Sequence, residues 1–139
     1  IMEKNENIYF QDGLDSEISK YIEYISNNDD EAVYKIIQNK DSNKSDKVMD
    51  EGLIIALIDS YSSFSNFFIS KINKENVSLS MNIKVTSFDV MKNDKEYIMK
   101  IKIIFEDKKT IQYEANIYDK ENKLIKNATH LKKFIKPKF

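Results

Sequence analysis

The sequence predicts an α+β domain, with N-terminal helices packed on a curved antiparallel β-sheet, and three observations predict it. Apolar residues recur at helical spacing up to about Asn73, then alternate from Val77 onward through three consecutive segments. The alternation slips phase once, because Val77, Leu79, Met81, Ile83 and Val85 are odd-numbered while Phe88 and Val90 are even. One extra residue at Thr86-Ser87, a bulge, restores the phase and bends the sheet. Between Gly52 and Pro137 there is neither Gly nor Pro. The turns therefore fall to Asn, Asp and Lys, at Asn73–Asn76, Lys92–Lys95, Asp107–Lys109 and Asp119–Asn122.

The elements follow in order. Glu6-Asn7-Ile8-Tyr9-Phe10-Gln11 resembles a protease site used to remove purification tags, so residues 1–13 read as a flexible arm or a tag remnant. Asp15 can cap a helix whose stripe is Ile18, Tyr21, Ile22 and Ile25. The Asn27–Asp30 break ends it, and Asp30 can cap a second helix carrying Val33, Ile36 and Ile37. After a polar loop, Asp46 opens a longer helix through Leu53, Ile54, Leu57, Ile58 and Tyr61. Ser60, Ser62, Ser63 and Ser65 predict a bend before a last piece with Phe64, Phe67, Phe68 and Ile72.

Strands are expected at 77–91, 95–106 and 109–119. A three-residue loop at Asp107–Lys109 sets Phe105 opposite Ile111, Ile103 opposite Tyr113 and Ile101 opposite Ala115, with Lys102 across from Glu114. The first strand is expected beside the middle one, Val90 meeting Tyr97, Phe88 meeting Met99, Val85 meeting Ile101 and Ile83 meeting Ile103, with the bulge opposite Lys100. Ile83, Ile103 and Tyr113 then form one buried row. Beyond Lys123, residues Leu124, Ile125, Ala128, Leu131 and Ile135 suit a strand or a helix.

Composition bounds the function. A chain of 139 residues reads as one domain, 1–139, and its 41% apolar and 32% charged residues suit a soluble globular protein. The longest apolar run, Leu53 to Ile58, stops at Asp59 and is too short to span a membrane. All 22 basic residues are Lys. Without Arg there are no bidentate phosphate clamps or guanine contacts, which argues against sequence-specific nucleic-acid binding and phosphoryl transfer. Without Cys there is no thiol nucleophile or zinc-thiolate site.

His130 is the single imidazole and reads as a surface residue. Asp41-Ser42-Asn43-Lys44-Ser45 begins like a calcium loop but has Asp46 at the glycine position and Gly52 at the bidentate carboxylate position. Gly13 and Gly52 are too far apart for a phosphate cradle. The expectation is a domain without cofactor and without metal, thiol or phosphoryl chemistry. Residues 1–60 hold 6 Lys against 14 acids and residues 61–139 hold 16 against 9. That asymmetry reads as two attracting layers, or as a basic tail (Lys123, Lys126, Lys132, Lys133, Lys136, Lys138) touching an anionic surface.

Two residue sets are candidates. Tyr97 and Tyr113 face inward with Met99, beneath Phe64 and Phe68; this is core packing, or a pocket in which two hydroxyls orient a small ligand. On the other face Ile98, Ile104 and Tyr118 make a small exposed apolar patch of the sort that partners cover. Those partners would be protein subunits, including further copies of the chain.

The segment Ile18–Ile37, an amphipathic helix, a short polar break with Asp and a second short helix, resembles the opening of the nuclear-transport-factor-2-like superfamily. The bulged meander resembles that superfamily's sheet. The resemblance implies a cystatin-like cone. It also implies a non-enzymatic interaction or structural domain: the extracytoplasmic part of a membrane-anchored or lipoprotein component, such as a conjugation or type IV secretion subunit. The alternative within the superfamily is a small-molecule-binding or enzymatic cone. Membrane contact would come only through a missing anchor or the basic tail.

Overall fold

Six antiparallel strands wrap one long helix. The computed structural model describes residues 17–37, 48–74 and 76–135. The tag-like stretch, Asp15, the calcium-like loop, Asp46, and Lys136, Lys138 and Phe139 of the tail lie outside the described residues. Strands β1 (Ile22–Asn27) and β2 (Glu31–Ile36) precede helix α1 (Glu51–Ile69). Strands β3 (Ser78–Ser87), β4 (Tyr97–Glu106), β5 (Thr110–Tyr118) and β6 (Leu124–Phe134) follow it. The sheet order is β1-β2-β4-β5-β6-β3, and α1 touches every strand.

Among the described residues, the two expected N-terminal helices give way to strands. After helical residues 17–18 and a 3-10 turn at Ser19–Tyr21, residues 22–36 make a β-hairpin. The stripe Val33, Ile36, Ile37 suits a helix, but Ala32, Tyr34 and Ile36 are the buried set, at strand period, and β4 supplies the partner. Asn28, not Asp30, organises the turn: its side chain accepts from the backbone N–H of Asp30 and of Glu31. The third expected helix exists, but starts at an Asp50 cap whose carboxylate accepts from the Leu53 N–H at 3.3 Å. Nor does it bend at its serines. Ser62, Ser63 and Ser65 donate to the carbonyls of Ile58, Asp59 and Tyr61 one turn back, which satisfies the hydroxyls without breaking the ladder. By length and composition α1 could cross a membrane, but its apolar face is buried by the sheet.

The β4–β5 register follows expectation at Ile101–Ala115, Ile103–Tyr113 and Lys102–Glu114, the last as an ion pair at 3.3 Å. An irregularity at Ile104 then turns Phe105 outward, opposite Gln112 rather than Ile111. The larger correction concerns β3. It pairs with β6, not β4, and its bulge lies at Met81, not at Thr86-Ser87. Residues 88–96 form a long connection that carries the chain past the sheet, so Phe88 and Val90 are not part of a strand and need no phase correction. The segment after Lys123 is the longest strand and supplies the partner.

The expected row is kept in part: one strand is inserted, Tyr113 is buried, and Ile83 and Ile103 are only half-buried. Ile103, Tyr113, His130 and Ile83 lie opposite one another in sequence across β4, β5, β6 and β3. The next row, Ala32, Ile101, Ala115, Ala128 and Val85, is dominated by alanine, so α1 can sit close to the middle of the sheet. The two charge halves are not two layers, since β1 and β2 share the sheet with the basic strands. They are instead linked by ion pairs such as Lys35–Glu96 at 2.8 Å and Lys126–Glu51 at 2.9 Å.

Candidate functional site

The anticipated pocket residues are dispersed through the core. Phe64 is fully buried and stacks edge-on with Phe68 and Tyr61. Met99 is buried on β4. The Tyr97 hydroxyl accepts from the Lys92 N–H at 2.8 Å, whereas the Tyr113 hydroxyl donates to Asn66 Oδ1 at 2.8 Å. The two hydroxyls therefore serve different elements and do not converge. Burial raises the Tyr97 phenol above its ordinary value, the Lys92 hydrogen bond opposing. On the outer face Ile98 and Tyr118 lie opposite each other as expected, Lys100 sits over the Tyr118 ring, and Ile104 is exposed at the irregularity.

Polar groups converge elsewhere, at the edge where α1 crosses β3 and β6. His130 is buried, not on the surface: its alternation with Ala128 and Lys132 on β6 points it at the helix, and its side chain is 1% exposed. Asp59, the acid that ends the apolar run of α1, stays 47% exposed beside it. Between them stands Ser80 of β3. Its backbone lies opposite Lys132, but the bulge at Met81 offsets the strands, and its hydroxyl lies 2.8 Å from His130 Nε2.

Proton positions follow from the hydrogen-bond directions. The Ser80 hydroxyl donates to Asp59 Oδ1 at 2.9 Å. With its proton so used, it accepts from His130, which fixes the tautomer with hydrogen on Nε2. His130 Nδ1 then has a lone pair, no donor reaches it among the described residues, and none is required for the order imidazole, hydroxyl, carboxylate. Burial, and next the Lys132 ammonium, push the imidazole down to about 4 from its ordinary 6.5, with Asp59 opposing. At neutral pH it is therefore a donor and a poor base.

This is not a Ser-His-Asp triad. There the imidazole sits between the two others and takes the hydroxyl proton. Here serine is in the middle, and the half-exposed carboxylate is the end open to a reactant. Asp59 also belongs to an open stripe of α1, with exposed Ile55 one turn before it and Phe67 two turns after. Beyond it, Ser63, Ser78 and Lys132 bound a cavity of about 200 Å³. The candidate set thus becomes Asp59, Ser80, His130 and Lys132; of these the sequence reading named only Lys132, and as part of an exposed basic tail, whereas it is buried. A faint signal existed: a lone acid inside an apolar helix, and a lone histidine in phase with Ala128.

Solved structures share this architecture. Zebrafish thioesterase superfamily member 2 matches with a TM-score of 0.79 at 14% identity, over 96% of both chains. A Streptococcus pneumoniae hypothetical thioesterase solved with coenzyme A matches at 0.69 and 14% identity, over 84% of this chain and 87% of that one. A Streptococcus mutans protein bound to acetyl-CoA matches at 0.68 and 10% identity, covering 82% and 88%. No protein-family model matches the sequence, and no curated protein does. The fold is thus the hotdog fold of thioesterase-superfamily structures, a sheet wrapped around a central helix. The nuclear-transport-factor-2-like resemblance is overturned by these matches, because it requires two leading helices where the chain builds a hairpin. With it fall the non-enzymatic assignment and the role in a conjugation or secretion assembly.

Proposed function

We propose that this chain hydrolyses acyl-coenzyme A thioesters, with Asp59 as general base. The observation that carries the proposal is the Asp59–Ser80–His130 chain, which leaves one carboxylate half-exposed and oriented on a sheet whose structural relatives are thioesterases. A water held by Asp59 attacks the thioester carbon and gives its proton to the carboxylate. The C–S bond breaks, the thiolate takes that proton, and the products are the free acid and the coenzyme A thiol. Ser80 and His130 are positioning residues: they fix Asp59 Oδ1 and leave Oδ2 for the water.

We further propose that the working form pairs two copies along β3. This edge strand offers unpaired backbone; Leu79 and Met81 are exposed on it, flanking the Ser80 that bonds Asp59, and Val77 is exposed just before it. A second copy there would cover the open α1 stripe and narrow the approach to the carboxylate to the substrate and one attacking water.

Thiol release from acyl-CoA substrates of graded chain length tests the reaction. Asp59→Asn should lower kcat by about 10²–10⁴-fold with an unchanged circular dichroism spectrum. Release by the native chain no faster than by Asp59→Asn, for every chain length, would overturn the assignment.

A further inference from the structure

Two serines of β3 bond to groups on the α1 side of the sheet, and they use their protons differently. Ser80 spends its proton on Asp59. Ser87 lies opposite Lys126 of β6 and accepts from the Lys126 ammonium at 2.9 Å. Among the described residues no acceptor takes the Ser87 proton. The Lys126 side chain is 1% exposed, and its charge is answered at 2.9 Å by Glu51, the first residue of α1. Burial and this ion pair fix the ammonium, which in turn holds the Ser87 oxygen in place and polarises its O–H bond toward donation. Ser87 itself is exposed, at the end of the edge strand.

Within one copy this donor is out of reach of the reaction, since the strand rise from Ser80 to Ser87 puts it about 20 Å away. Pairing along β3 removes that distance. Both open α1 stripes are covered only when the two helices lie on the same side of the joined sheet. The two-fold axis then stands perpendicular to the sheet, and the two β3 edges run antiparallel. Full overlap lays the Ser80 end of one copy beside the Ser87 end of the other, where side chains on one face stand about 5 Å apart. We infer that Ser87 of the partner subunit is a catalytic residue of the Asp59 site, donating to the thioester carbonyl oxygen, so that each site takes its base from one copy and its oxyanion donor from the other. This rests on the hydrolase and pairing readings above. As the water oxygen bonds to the thioester carbon, the carbonyl π pair moves onto oxygen, and the partner's Ser87 donates a hydrogen bond to it without giving up its proton. The pair returns to the carbon as the C–S bond breaks.

Ser87→Ala should lower kcat about 10²-fold with little change in KM and an unchanged circular dichroism spectrum. Ser87→Thr should keep the native rate, and Ser87→Val, which has the shape of threonine without the hydroxyl, should not; it also serves if Ser87→Ala does not fold. Co-expression of Ser87→Ala with Asp59→Asn tests the sharing. Random pairing leaves about a quarter of all sites with both groups intact, so the mixture should recover about that share of native activity, far above either variant alone. Native rates in Ser87→Ala and Ser87→Val, a mixture no faster than the better variant, or full activity in a native monomer would each overturn the inference and leave the hydrolase reading standing. A native chain that hydrolyses no thioester overturns the hydrolase reading and this inference with it.

Discussion

His130 looks like a spare surface residue in the sequence, and the structure makes it the innermost member of the candidate site. Its place depends on which period governs residues 124–135, since as a helix the segment would turn His130 away from Ala128. Local spacing does not decide that; the partner strands β5 and β3 do. The buried imidazole carries a pH signature. It is held near 4 in the fold and returns to about 6.5 on unfolding, so the unfolded chain binds the extra proton between those values. Stability contributed by the neutral imidazole is complete above 6.5 and is lost as pH falls toward 4, on the order of 3 kcal/mol in all. Chemical denaturation from pH 8 to 4 should show this slope, and His130→Gln should flatten it. An equal slope in the variant would mean that other groups titrate.

Single elements read unevenly. The β4–β5 pair was legible because both strands alternate cleanly and the Asp107 loop closes them, with Asp107 Oδ1 accepting from Lys109 and Thr110. The β1–β2 hairpin was not, because six-residue strands with β-branched and aromatic residues also satisfy a one-turn helical stripe. The exit of α1 shows how a distant residue finishes an element. Glu106, at the end of β4, accepts from Ser70, from the backbone N–H groups of Lys71 and Ile72, and from Asn73. Burial works against its charge, yet these donors hold its carboxyl below the usual range. Glu106→Ala strands several of those donors and should cost about 2–3 kcal/mol, read as a melting temperature lower by several degrees. A melting curve that does not move would mean that solvent replaces the carboxylate. Nothing within α1 announces this clasp, because the acid lies more than thirty residues away.

At the scale of the whole molecule, the alternation after Val77 correctly announced an antiparallel sheet, but the order of its strands was hidden. A meander and a crossover present the same inward faces, so hydrophobic phase alone cannot separate them. Two surfaces remain for a partner, and sedimentation distinguishes them. Leu79→Lys with Met81→Lys should convert a dimer to monomer if β3 is the interface. Ile104→Glu with Tyr118→Glu should do so only if the outer face is used. The sheet order also has a consequence in time. β6 lies latest in the chain among these elements, yet it joins β3 to the rest of the sheet and brings both His130 and Lys132. While a ribosome is still making it, β3 has no strand partner and the growing chain carries an unmated apolar edge. A product broken off before Leu124 would therefore be a chaperone client, lacking His130 and so the inner end of the Asp59–Ser80–His130 chain.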